Sequence, residues 1–394
     1  MQQRLRATVE RLAEIDRPSA SEGEREAADW IARRLRELGL PARIERERAV
    51  GTFTSTLGGL SAAAAAAGLA RRGRWLPAAV GALAAAGICD DVSGGPHVAR
   101  RVLPHRDTYN VVAEAGDPAA RDTVVFCAHH DAARGGLIFR PELVTLVADA
   151  FPRWYARQET SAQIMRLVAA GPALVALGAA AGARRVRKAG ATIAAGTVAA
   201  MADIATRDVV PGANDNLSAV AALLELARGL AAEPPRGVRV LLLSTGSEES
   251  SMEGMRGFVA RHRRTLDTAR TRFVVLESIG SPELILIEGE GMIRMRDYDP
   301  ALRDALAAAA AEAGVPLRRR LRSGLATDAL IAHRAGYPAA TLASVNEYKM
   351  AANYHSQRDL PHRVDYGTVA AAVLVCASLI RAAARAPAPA PAPA

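Results

Sequence analysis

From residue 217 onward, helix and strand signals alternate with little chain between them. A helix is expected over 217–230, a strand over 238–244, a helix over 254–264, a strand over 273–277, a helix over 300–313, a strand over 338–343 and a helix over 366–382. Strands joined through helices cannot pair as tight hairpins. The crossovers make neighbours parallel and lay helices on both faces of the sheet. The expected fold class is therefore α/β: a mostly parallel central sheet with helices on both faces, a three-layer sandwich. In such a sheet, functional groups gather beyond the carboxyl ends of the strands.

Upstream, Ser21 and Glu24 have capping-box spacing, and Ala27, Ile31, Leu35 and Leu38 follow at helical intervals until Gly39. Residues 42–50 alternate as an edge strand, and 109–115 and 123–128 read as further strands. The first ten residues have no apolar core of signal-peptide length, so the start reads as mature sequence.

Acids and imidazoles fall in five short clusters beside these elements: His129-His130-Asp131, Asp215 within Gly-Ala-Asn-Asp-Asn, Glu248-Glu249, Glu277, and Tyr354-His355. His129 and Asp131 follow one apolar strand, Glu248 and Glu249 a second, and Glu277 ends a third. One such cluster alone reads as a polar loop. Three strands delivering acid or imidazole to one rim read as a site. Two imidazoles and three carboxylates suit a pair of adjacent zinc ions, and a further carboxylate is left to move protons. The chain reads as a two-metal hydrolase.

The order His-x-Asp, Gly-Ala-x-Asp-Asn before a helix, Glu-Glu with a Met-x-Gly step, an acid after a strand, and Tyr-His-Ser resembles the co-catalytic zinc exopeptidases. These include bacterial leucyl aminopeptidases and glutamate carboxypeptidases, with glutaminyl cyclases as relatives. The resemblance covers roughly residues 8–50, 106–131 and 209–382. It implies a phosphorylase/hydrolase-like sandwich and two Zn2+ per chain. His129, Asp215 and Glu277 would hold one zinc, and Asp215, Glu249 and His355 the other, with Asp215 bridging. It implies hydrolysis of a terminal peptide bond through a metal-bridging hydroxide with Glu248 as general base, as an aminopeptidase first, with a carboxypeptidase left open because both share the metal centre. Asp131 would fix the His129 tautomer, and Tyr354 would donate its phenol to the oxyanion. Two departures stand out. Glu277 occupies a position where close relatives usually carry Asp, and Thr327-Asp328 is followed by Ala329 where the family has His, leaving Asp328 without an assigned role. The alternatives are a single-zinc glutaminyl cyclase-like acyltransferase and a non-catalytic membrane scaffold on the same fold.

Two insertions interrupt the pattern. Residues 51–70, 75–89, 167–183 and 189–202 carry no charge, and basic turns at 71–74 and 184–188 separate them in pairs. This repeat predicts two Ala-rich helical hairpins with basic tips. The expected organisation is a catalytic domain over 1–50, 105–160 and 204–382, insertions at 51–104 and 161–203, and a disordered Ala-Pro tail at 383–394. The runs are marginal as membrane spans, which need about 20 strongly apolar residues. They fit either membrane contact through residues 51–90 and 165–203 or a soluble four-helix appendage, including a homodimer contact. Membrane association is the expected location, with a cytoplasmic one as the alternative.

The net charge of +9 does not change this reading. Only two of the 50 basic residues are lysines and alanine is over-used throughout, so the charge follows a chain-wide usage bias; a peptide, and no nucleic acid, is the expected partner. Cys89, Cys127 and Cys376 sit in apolar runs and read as buried thiols without a disulfide framework. His130, His333 and His362 are expected to have no catalytic duty. His97, His105 and His262 read as surface residues, and Glu253 as part of a solvated acidic loop.

Overall fold

The computed structural model describes residues 1–70 and 73–385. Arg71 and Arg72 of the first basic turn and residues 386–394 of the Ala-Pro tail lie outside the described residues.

Four strands form the parallel centre of a nine-stranded sheet: β3 (Thr123–His129), β4 (Arg239–Thr245), β5 (Thr271–Glu277) and β9 (Ala339–Val345), in the order β4-β3-β5-β9. Almost every residue in them is buried because successive side chains enter opposite cores. In β3, Val124, Phe126 and Ala128 join one core while Val125 and Cys127 join the other. The first core lies under α1 (Gln2–Ala13), α2 (Glu22–Glu37), α9 (Ser218–Ala232), α11 (Pro300–Glu312) and α13 (Tyr366–Arg385). The second lies under α10 (Glu253–His262) and α12 (Asp328–Arg334). Helices thus cover both faces, as expected.

Both margins of the sheet turn antiparallel. On one side β1 (Ala42–Ala49) pairs with β2 (Arg106–Gly116), and β2 pairs with β4. On the other, β6 (Glu283–Glu290) runs against β9 and β7 (Arg296–Asp297) against β6, while β8 (Arg318–Ser323) pairs parallel with β6. The alternation rule omits β6 and β7 because the chain leaves β5 through a short turn at Ser278–Pro282 instead of a crossover helix, and β8 because its residues, RRRLRS, carry no apolar run. Helices α1 and α12 were likewise unanticipated. In α1, Leu5, Val9 and Leu12 are all buried and form its inner face. The capping box is realised: the Ser21 side chain accepts from the Glu24 N–H, and α2 ends before Gly39 at φ +88.

The two insertions fold as helical pairs, α3 (Thr54–Leu69) with α4 (Trp75–Val92) and α7 (Met165–Ala180) with α8 (Arg184–Thr206), and all four pack into one bundle. Two short helices, α5 (Glu142–Ala150) and α6 (Pro152–Ala156), precede α7. The bundle helices approach closely because small residues line the contacts. A Cβ at Gly190 would lie 2.6 Å from the Gly171 carbonyl oxygen, and one at Gly81 would lie 2.7 Å from the Ala176 nitrogen. Among the described residues, three helices are long and apolar enough to cross a membrane: α4, α8 and α13. Of these, α13 packs into the main core through residues such as Val369, Val373 and Cys376.

The bundle is anchored to the sheet through charge. Arg100, only 2 % exposed, donates to both Asp91 oxygens and to the Ser250 carbonyl and Ser251 hydroxyl, and lies 3.3 Å from Glu253. Glu253 is buried, not a solvated loop acid, because it accepts the N–H groups of Val50 and Gly51 and the Ser250 hydroxyl. His97 is also buried, bonded to the Asp91 carbonyl, and His262 is held against Glu45 at 2.9 Å, so neither is a surface residue; His105 is half-buried. Replacing Arg100 by Ala removes the cation bonded to Asp91 and Glu253 and leaves only Arg256 nearby. The expected cost is about 3–5 kcal/mol, read as a lower chemical-denaturation midpoint; an unchanged midpoint would show that the pair is not coupled to folding.

Candidate metal centre

Five loops meet at the carboxyl edge of the parallel strands. His129 ends β3, Glu248 and Glu249 follow β4, Glu277 ends β5, and His355 lies in the loop after β9. Asp215 comes from the irregular turn Ala213–Leu217 that starts α9. All six sequence-predicted groups converge, although 226 positions separate the first from the last.

Asp215 stands between the two imidazoles. Its Oδ1 lies 3.3 Å from His129 Nε2, and its Oδ2 lies 3.4 Å from His355 Nε2. Glu277 Oε1 is 3.6 Å from His129 Nε2 and Glu249 Oε2 is 3.2 Å from His355 Nε2. The sets His129–Asp215–Glu277 and Asp215–Glu249–His355 therefore each bring three donor atoms within 4.8 Å of one another, and Asp215 serves both with a different oxygen. Glu248 forms a further close set with His129 and Glu249, but stands 4.0 Å from His129 Nε2, farther than Asp215 or Glu277.

The donor chemistry fits zinc, which takes imidazole nitrogen and carboxylate oxygen in small coordination shells. Asp131, Asp215, Glu248, Glu249 and Glu277 are gathered in a buried space, and no lysine or arginine pairs with any of them among the described residues. The charge calls for cations. The longer Glu277 side chain still reaches His129, and Asn216 Nδ2 and Ser278 Oγ contact its two oxygens at 3.4 and 3.1 Å.

Asp131 pins the site from behind. Its carboxylate accepts the N–H of Glu248 at 3.0 Å, the N–H of Glu249 at 3.1 Å and the Ser19 hydroxyl at 2.6 Å, while its backbone carbonyl lies 3.2 Å from His129 Nδ1. It is a positioning residue for the Glu-Glu loop as much as for the imidazole. Tyr354 stacks on His355 at 3.9 Å between ring centroids, and Phe139 meets the same imidazole edge-on.

The electrostatics follow from burial and from like charges at close range. Burial pushes Glu248 well above the ordinary carboxylate range, and it lifts Glu277 to about 8 despite His129. For the imidazoles, burial works the other way, but the facing carboxylates win: His129 rises well above its ordinary value and His355 to about 10. Burial and the surrounding acids keep the Tyr354 phenol protonated. His130, buried and bonded to Ser244, falls to about 3 and stays neutral, apart from the site.

Four supporting residues were given no site role by the sequence. Buried Arg17 donates to the carbonyls of His130, Pro211 and Gly212, tying the His129 and Asp215 loops together. Asp359 accepts the N–H groups of Asn214 and Asp215. Glu24 accepts the N–H and hydroxyl of Ser247, one residue before Glu248. Asp328 accepts from the Thr245 hydroxyl and the Cys127 thiol, so the residue without an assigned role braces the ends of β3 and β4. All are single residues outside the five clusters, and Asp359, although four residues after His355, serves the Asp215 loop. Glu24 stood in a capping box, which speaks for a helix start, and Asp328 in a family step that lacks its His.

A cavity of about 720 Å³ opens beside His355 and Tyr354. Gly135, Phe139 and Glu142 form one wall from the segment between Asp131 and Asp215, and Asn346, Tyr348 and Gln357 line another.

Residues 187–380 match the model of peptidase family M28. The match takes in Asp215, Glu248, Glu249, Glu277 and His355 and leaves His129 and Asp131 outside it. Among solved structures, an aminopeptidase from Aneurinibacillus sp. strain AM-1 is similar at TM-score 0.57 and 14 % identity, over 97 % of this chain and 94 % of its own. A zinc aminopeptidase from Bacillus subtilis gives 0.57 and 15 %, over 97 % and 95 %. A glutaminyl cyclase from Bacteroides thetaiotaomicron gives 0.57 and 12 %, over 96 % and 97 %. At such identities these likenesses speak for the shared fold. No curated protein matches the chain in sequence.

Proposed function

We infer that this chain, with its peptidase family M28 region, is a zinc-dependent exopeptidase acting as an aminopeptidase on short peptides. The observation that carries the reading is the division of Asp215, one oxygen toward His129 and the other toward His355, which suits two ions sharing one carboxylate. Zinc held there would polarise the scissile carbonyl and lower the pKa of attacking water. The remaining work falls to the chain. Glu248 takes the proton released in the attack and returns it to the departing amine; its buried, proton-retaining environment suits both halves of that task. Tyr354, protonated and beside His355, is placed to donate to the developing oxyanion. Asp131 holds the Glu-Glu loop and His129 in register.

The wall from Gly135 to Thr145 narrows the cavity on one side, which favours short substrates over extended chains. Aminoacyl reporter peptides and carboxyl-terminal reporters, each with zinc and with chelator, test the assignment. Chelator-sensitive cleavage of the aminoacyl set and about two zinc ions per chain are expected. One zinc per chain with cyclisation of amino-terminal glutamine would replace the reading by the acyltransferase, and turnover of carboxyl-terminal reporters alone would make the chain a carboxypeptidase.

A further inference from the structure

We propose that the bundle formed by α3, α4, α7 and α8 is embedded in a lipid bilayer, with the sheet domain held at its surface. The inference stands on the bundle and is independent of the peptidase reading.

A four-helix bundle in water packs large apolar residues inward and charged residues outward. This bundle is built the other way round in its outer half. Its interior there is mostly Ala64, Ala65, Ala84, Ala179, Ala191 and Ala194, joined by Val175, with Gly81 and Gly190 at backbone-to-backbone approaches. Its outer surface carries Leu69, Trp75, Leu76, Leu83 and Leu177, exposed by 65 to 74 %. Small residues inside and large apolar ones outside are the pattern of helices packing in lipid, where close backbone contact replaces a hydrophobic drive.

The distribution along the bundle axis is equally particular. Arg187 donates to the Ala70 carbonyl and Arg74 bonds to the Ala180 carbonyl, so both hairpin tips meet at one end. Arg74, Arg184, Arg185, Arg187 and Lys188 collect there. Below this collar come the four uncharged runs of 14 to 20 residues, about 21–30 Å of helix. Charge returns only at the base, with Asp90, Asp91 and Asp203. A basic collar suits anionic headgroups, with long side chains reaching the interface from the last helical turn. The uncharged band approaches the hydrocarbon thickness of about 30 Å.

The rest of the molecule sharpens the contrast. Among the described residues, ten of the eighteen large exposed apolar side chains lie within 51–104 and 161–203, five more (Leu137, Ile138, Leu146, Phe151 and Trp154) lie in the segment that leads into α7, and the remaining three are Met1, Leu325 and Leu374. Val98, Val102, Leu137 and Ile138 extend the apolar surface onto the segments flanking the bundle base. Patches of this extent are uncommon on free monomers.

The test uses the full-length chain and a variant carrying Leu83→Glu and Ala195→Glu, two outward-facing positions in the uncharged band. The wild type is expected to sediment with membranes, to resist alkaline carbonate and about 1 M salt, and to float with phosphatidylcholine–phosphatidylglycerol vesicles. The charged variant is expected to lose membrane retention by about a hundredfold or more, since each buried charge is disfavoured at a bilayer centre. In water the same changes would be neutral or would improve solubility. A monodisperse wild type without detergent overturns the proposal, whether as a monomer or as a dimer that the variant splits. Release by salt alone also overturns it, because that indicates binding at the headgroups without insertion.

Discussion

Replacing Glu248 by Gln is expected to lower kcat by about 10²–10⁴-fold while zinc content stays at the wild-type value. The amide keeps the size and backbone contacts of the acid, and the Glu248 N–H still donates to Asp131. What disappears is a group able to accept and return a proton. The geometry separates this outcome from the loss of a ligand: Glu248 lies 4.0 Å from His129 Nε2, against 3.3 Å for Asp215 and 3.6 Å for Glu277. Glu249→Gln is expected to remove metal from the His355 side, because Glu249 Oε2 is 3.2 Å from that imidazole. Measuring kcat together with metal content in both variants decides the roles. If the Glu248 variant loses zinc in proportion to its activity, Glu248 is a ligand and the assignment of the base is wrong.

The residues that could be named in advance were those whose chemistry is concentrated in short motifs at strand ends. His129, Glu248, Glu249 and Glu277 follow uninterrupted apolar runs, and the parallel centre of the sheet explains why those runs carry their ends to one rim. The sheet margins were not legible in the same way. Strand β6 has a strong apolar core, Leu284 to Ile287, but it returns antiparallel after a turn and breaks the helix–strand rhythm that revealed the others. Arg17 and Asp359 were hidden for a different reason. Each acts by binding backbone groups of a loop far away in sequence, and backbone groups leave no trace in residue identity. Glu253 and His97 were misjudged because their partner, the Arg100–Asp91 pair, lies inside an insertion that the sequence pattern set apart from the catalytic region. Charged residues that look solvated next to one segment are buried once another segment docks over them.

The metal-free chain is expected to lose stability as pH rises from about 6 to 9, and zinc is expected to restore more stability at the alkaline end. The sign follows from the groups themselves. His355 moves from an ordinary value of 6.5 to about 10 in the fold, so the stabilisation that its proton gains from Glu249 and Asp215 is complete below 6.5 and lost as pH climbs toward 10. Burial raises Glu277 from 4.5 to about 8, so its ionisation opposes the fold over that interval as well. Asp215, lowered in the fold, behaves in the opposite sense, and its contribution is lost only under strong acid. Zinc takes the positions those protons hold on His129, His355 and Glu277, and loading at pH 7 is therefore expected to release about three protons per chain. The apparent affinity should fall about tenfold to a hundredfold per pH unit on acidification. Titration calorimetry in buffers of different ionisation enthalpy counts the protons, and thermal melts with and without zinc at about pH 6 and pH 8.5 check the sign. Heats that do not depend on the buffer, or a zinc-induced Tm gain larger in acid than in base, would mean that the imidazoles are already unprotonated in the metal-free fold and that the carboxylates do not face them as described.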